Sequence, residues 1–218
     1  MPLNDASKRQ VSPCRKRVPG ALFSSLTPPT AAASVLILLL AGACQPTLER
    51  RALEYEQRVN AGLADRVVEL FADDATIERK NVLSLTGREA LTDLARWDSV
   101  LHTRLRLTSI ETEGDTVLAD VVESNDWLAA LGIETIDYPT TLFIFRDGLI
   151  IRIEAEADTV GANAIRRSLD ALLEWALVER PQTVRALVAE TGFRYDAENA
   201  RRLLQLIEEW QSELTAHR

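Results

Sequence analysis

Apolar residues along this chain change their spacing several times, and each change marks a structural boundary. From Leu48 they recur at Ala52, Tyr55 and Val59, on one face of a helix that Gly62 ends. Leu63, Val67, Leu70 and Phe71 predict a second helix closing at Asp73-Asp74, followed by a short β-rich run. Thr86-Gly-Arg-Glu89 has the form of a capping box, in which a hydroxyl and a carboxylate satisfy the first free amides of a helix. Ala90, Leu94, Trp97 and Leu101 supply that helix's buried face. Beyond Leu101 the period falls to two, with Leu105, Leu107 and Ser109 alternating with Arg104, Arg106 and Thr108. Glu113-Gly-Asp115 predicts a hairpin turn, and Thr116 to Leu128 a second long strand. A loop from Gly132 to Tyr138, edged by Pro139, leads to strands over Thr140–Phe145 and Leu149–Glu156, joined at Arg146-Asp-Gly148. This order predicts an α+β fold, with helices on one face of a curved antiparallel sheet.

Residues 158–218 return to helical spacing. Ile165, Leu169, Leu172 and Ala176 mark one helix, Pro181 opens a second and Asp196 caps a third. The expectation is an all-helical extension whose own apolar stripes pack on the domain or on a second subunit. A homodimer is therefore among the partners this extension allows.

The N-terminal residues have a different character. Lys8, Arg9, Arg15, Lys16 and Arg17 precede Ala31-Ala-Ala-Ser-Val-Leu-Ile-Leu-Leu-Leu-Ala-Gly-Ala-Cys44. A basic segment, a short apolar run and small residues form an export signal. The apolar run of about a dozen residues falls short of the ~20 that a spanning helix needs. Ala-Gly-Ala-Cys44 resembles the bacterial lipoprotein signal, where cleavage precedes a cysteine that becomes lipidated, although Ala41 stands where that signal usually has leucine. The chain is thus read as a signal peptide (1–43), a tether (44–47), a domain (48–157) and the extension (158–218). The expected location is the bacterial cell envelope, with the membrane reached through lipid on Cys44.

Charge and cysteine content narrow the picture further. Residues 1–43 carry five Lys/Arg against Asp5, so removing them takes the net charge from −8 to −12. So acidic a chain repels phosphate backbones, and nucleic acid is not an expected partner. Cys14 leaves with the signal, so one mature chain cannot form a disulfide and must rely on a full-sized core. His102 has no Cys or second His near it in sequence, which does not make a metal site. No cofactor motif appears.

With these elements in place, residues 48–157 resemble the nuclear-transport-factor-2-like superfamily, often called SnoaL-like. The matching pieces are Tyr55 with Val59-Asn-Ala-Gly62, Phe71-Ala-Asp-Asp-Ala-Thr76, Thr86-Gly-Arg-Glu-Ala-Leu91 and Phe143-Ile-Phe-Arg-Asp-Gly148. The resemblance implies a cone of helices and curved sheet enclosing a pocket. It leaves function open, because the superfamily hosts isomerases, epoxide hydrolases, dehydratases, polyketide cyclases and many non-catalytic binders.

Residue by residue, no known catalytic set is complete. Set against the ketosteroid isomerases, Tyr55 falls on their tyrosine, but Arg79 lies where the carboxylate base belongs and Thr141 where the aspartate does. Arginine cannot serve as that base. Set against the limonene-epoxide hydrolases, Asp126 matches one aspartate, while Ser124 and Ala155 replace the arginine and the second aspartate. The polar run Glu123-Ser-Asn-Asp-Trp127 makes Asp126 the candidate catalytic or anchoring group. Tyr55, Trp97, Ser124, Trp127 and Thr141 join it as candidate ligand contacts. Arg152, Glu154 and Glu156 alternate with Ile151, Ile153 and Ala155, which predicts an ionic outer face. The function expected is binding of a small, largely apolar molecule. An isomerase, epoxide hydrolase or cyclase using Asp126 with Tyr55 or a strand glutamate is one alternative, and an interaction module is the other.

Overall fold

A computed structural model of the chain describes residues 47–189 and 192–216. Cys14 and Cys44, with the predicted signal, lie outside the described residues. Helix α1 (Leu48–Asn60) starts where the Thr47 hydroxyl accepts a hydrogen bond from the Arg50 amide, and it buries Ala52, Tyr55 and Val59. Gly62, at φ +66°, turns the chain into the short helix α2 (Ala64–Val68). Phe71 does not extend this helix. It opens strand β1 (Phe71–Arg79), which pairs with β2 (Leu83–Thr86).

Helix α3 (Arg88–Val100) follows without the capping box. Its N-cap is Gly87, which makes no side-chain cap bond, while the Thr86 hydroxyl lies 3.2 Å from that of Thr76 across the β1–β2 ladder. Strand pairing claims Thr86 before it can act as a cap. Strands β3 (Arg104–Glu113) and β4 (Thr116–Ser124) form the expected hairpin. β4 stops four residues short of the predicted Leu128, because Asn125 caps a short helix, α4 (Asp126–Ala130), by accepting from the Leu128 amide at 2.9 Å. β5 (Ile136–Arg146) and β6 (Leu149–Ala155) complete the sheet.

The six strands run β2-β1-β6-β5-β4-β3, antiparallel throughout except for the parallel β1–β6 pair. Register shifts interrupt β3–β4, β4–β5 and β5–β6. Such bulges bend the strands that carry them, which curves the sheet. α1 packs against β3 and β4, and α3 against β1 and β2, enclosing the core. The outer face is ionic as the alternation predicted, with Arg152 paired to Glu78 at 2.8 Å and to Glu154 at 2.7 Å.

The extension holds α5 (Thr159–Glu179), α6 (Pro181–Leu187) and α7 (Ala197–Ala216). It is not all-helical, since β7 (Val188–Ala189) and β8 (Gly192–Phe193) pair as a small hairpin. Gly192, at φ +101°, takes a backbone conformation that a side-chained residue resists. α7 packs on α3 and α4. Trp97, Phe193 and Tyr195 form a triangle of edge-to-face rings with centroids 5.0 to 5.6 Å apart. Arg194 ties the same corner to Asp93 of α3 at 2.7 Å.

Candidate functional site

The concave face of the sheet and α1 line a small, partly open cavity of about 30 Å³. That is room for water but far below the few hundred Å³ of an ordinary ligand pocket. Its walls are apolar, from Ile77, Leu105, Val121, Phe143 and Ile153, and its polar members are Tyr55, Arg79, Glu123, Tyr138 and Thr141.

Strand alternation puts these groups there. On β4 the inward phase runs Val117, Ala119, Val121, Glu123, all buried, so Glu123 shares its face with core residues. On β1 Arg79 follows Ala75 and Ile77 in the same phase. β5 carries Tyr138 and Thr141 on one face despite their odd spacing. Thr140, at φ +57°, absorbs an extra residue there, and the Thr141 hydroxyl donates to the Tyr138 carbonyl at 3.2 Å.

The polar groups form a connected cluster. Arg79 Nη1 lies 3.2 Å from Glu123 Oε2, and its guanidinium sits 5.5 Å from the Tyr138 ring centroid. The other Glu123 oxygen accepts from Asn125 Nδ2 at 3.0 Å, and the Tyr138 hydroxyl lies beside the same carboxylate. Tyr55 packs edge-on against Phe71 and Phe143. It is buried and lines the cavity. Behind the lining, Asp98 of α3 is buried and accepts from the Thr103 hydroxyl at 3.1 Å.

Burial sets the proton chemistry. It drives the Asp98 carboxyl up to about 7, with Arg79 opposing and Glu123 adding to the rise. It also holds both tyrosine hydroxyls above their ordinary range, so they act as neutral donors. Burial works against the charge on Arg79, but Glu123, Tyr138, Asp98 and Tyr55 together outweigh it and the guanidinium stays charged. The cluster can therefore fix a polar group by charge and hydrogen bonding. Asp98, which titrates near neutrality, does not line the cavity.

Of the residues singled out from sequence, Tyr55 and Thr141 line this cavity and Asp126 does not. Asp126 lies one residue beyond Asn125 and out of phase with Glu123. Its half-exposed carboxylate pairs with exposed His102 at 2.6 Å. Ser124 is likewise out of phase with Glu123 on β4. Trp127 packs half-buried from α4, and Trp97 is buried against Phe193 and Tyr195. Glu154 and Glu156 pair on the outside with Arg152 and Lys80. Glu123, Tyr138 and Asp98 were missed. The phase of β4 alone would have found Glu123, whereas the Thr140 bulge hid Tyr138 and only tertiary packing marks Asp98.

A larger open groove of about 320 Å³ lies between α6 and α7, lined in part by Gln182, Arg202, Gln205 and Glu209. Its charged groups are already engaged, Arg202 with Glu198 and Glu209 with Arg180. Among the described residues, no group of three or more His, Cys, Asp or Glu is placed to hold a metal ion. No helix among them is long and apolar enough to cross a membrane.

No family profile and no curated protein matches the chain. Solved structures do. An epoxide hydrolase/cyclase-like enzyme, SalBIII, of pyran-ring formation in salinomycin is 18% identical, covering 52% of this chain and 92% of its own at TM-score 0.47. An NTF2-like protein of unknown function from Cytophaga hutchinsonii is 14% identical over 56% and 98% of the two chains, at TM-score 0.46. An LEH-like epoxide hydrolase of M. tuberculosis is 17% identical over 58% and 94%, at TM-score 0.46. The structures it is similar to are nuclear-transport-factor-2-like proteins. Their activities stay with them at this distance.

Proposed function

We propose that this chain is a small-molecule-binding protein of the bacterial envelope, anchored by lipid on Cys44, with the interior of its cone as the binding site. The observation that carries the reading is the Arg79–Glu123 ion pair, largely buried beside a cavity that Tyr55 also lines. Desolvating two charges costs several kcal/mol per ion, and a purely structural core closes more cheaply on apolar side chains. Apolar walls with a few convergent polar groups are the usual make-up of a ligand site and suit a largely apolar molecule with one polar end. The test is native mass spectrometry of the protein purified from its host membrane. A co-purifying small molecule that disappears in Glu123→Leu supports the reading, and its absence across several preparations sinks it.

The anchor is tested separately. Cys44→Ser moves the protein from the membrane fraction to the soluble fraction if lipid on Cys44 holds it there, and leaves the fractionation unchanged if it does not.

A further inference from the structure

Accepting the cone interior as a binding site leaves the problem that its cavity has room only for water. A ligand of several heavy atoms must displace something. Phe143, Tyr55 and Tyr138 are buried between the sheet and the helices. Arg79 is different. It sits at the end of β1, carries the longest and most flexible lining side chain, and keeps 19% of that side chain exposed against 5% for Glu123. Swinging it outward into water is the cheapest way to open the cone, because an arginine head leaves its stem on apolar surface while solvating its charge.

Displacing Arg79 removes the only cation of the cluster. What remains is the Glu123 carboxylate with Asn125 and the Tyr138 hydroxyl as its hydrogen-bond donors, the carboxyl of Asp98 behind it, and the rings of Tyr55 and Tyr138. A neutral ligand would leave Glu123 buried without a counter-charge, and an anion would meet it directly. Only a cation restores the balance, and the Tyr138 ring that Arg79 now covers offers the face such a group prefers. We infer that Arg79 is a built-in placeholder, and that the pocket accepts a small organic cation, with a guanidinium or ammonium group on a short apolar stem, in the position its guanidinium now fills.

This inference rests on the cone being a binding site, and four probes matched in size separate the two claims. They are n-butylguanidinium, n-butylammonium, n-butanol and butyrate, titrated calorimetrically into the detergent-solubilised full chain and its variants. The expected result is binding of the two cations only, roughly ten-fold tighter in Arg79→Ala because the competing side chain is gone, and lost in Glu123→Gln. Binding of butanol or butyrate as tight as that of the cations overturns the cation inference and leaves the binding site standing. No binding by any probe in either the parent or Arg79→Ala overturns both. If Arg79→Ala does not fold, methylguanidinium restores its near-ultraviolet circular dichroism and acetamide does not. Failure of that rescue, or equal rescue by acetamide, also overturns the inference.

Discussion

Arg79 and Glu123 meet at 3.2 Å although their strands, β1 and β4, are separated in the sheet by β6 and β5. Three strand spacings amount to about 14 Å along a flat sheet. The curvature introduced by the bulges and the length of the two side chains close that gap. The pair is thus a chord across the concave face, and it reports whether the sheet keeps its curvature.

Breaking one end of this chord should cost more than removing both. Arg79→Met or Glu123→Leu alone leaves a buried charge unpaired, and each is expected to destabilise the fold by about 3–5 kcal/mol. The double variant should recover most of that loss. A double-mutant cycle by urea denaturation measures the coupling, and additive single losses would show that the two groups do not depend on each other.

His102 and Asp126 form the shorter contact, at 2.6 Å, yet less should depend on it. Both side chains are at least half exposed, and an exposed pair contributes about 0–1 kcal/mol. Asp126→Ala should therefore leave the urea midpoint almost unchanged and have no effect on what the protein retains on purification. Loss of a co-purifying molecule in this variant would return Asp126 to the site.

The contrast between these two pairs shows how far the sequence could be read. Helices and paired strands were legible wherever one period persisted, as in α1 and the first half of β3, whereas β5 starts at Ile136, inside the stretch read as a loop, and bulges at Thr140. They became illegible where backbone geometry overrode the pattern. Phe71 reads as the last apolar position of a helix, but its strand partner is Ile150, some eighty residues away. Thr86 reads as a cap and is a strand residue. At the site, Tyr55, Arg79 and Thr141 were located by their correspondence to pocket positions, and all three line the cavity. Asp126 is singled out by its match to one epoxide-hydrolase aspartate and by the polar run around it. Strand phase favoured Glu123, and the Asn125 cap ends the strand before Asp126 is reached.

Trp97 tests whether the extension is a working part of the fold. Its ring is buried between α3 and the β8–α7 corner, in edge contact with Phe193 and Tyr195. Trp97→Ala should cost about 3–5 kcal/mol and loosen that corner. Limited proteolysis should then cut first near residues 188–196, ahead of any cut within the sheet. First cleavage within β3 to β6 would mean that Trp97 supports the cone directly and not through the extension.

Asp98 gives the stability a pH dependence whose sign can be worked out. Its carboxyl is raised from an ordinary 3.8 to about 7 in the folded state, chiefly by burial. Between those values the folded chain binds more protons than the unfolded chain, so unfolding free energy falls as pH rises. The neutral form carries no penalty below about pH 4, and above about pH 7 the penalty is complete and levels off. Asp98→Asn removes the titrating group while keeping an oxygen that can accept from the Thr103 hydroxyl. The variant should match the parent near pH 4 and exceed it near pH 8, with urea midpoints as the measure. If the parent instead gains stability across this range relative to Asp98→Asn, the carboxylate is held ionised in the fold.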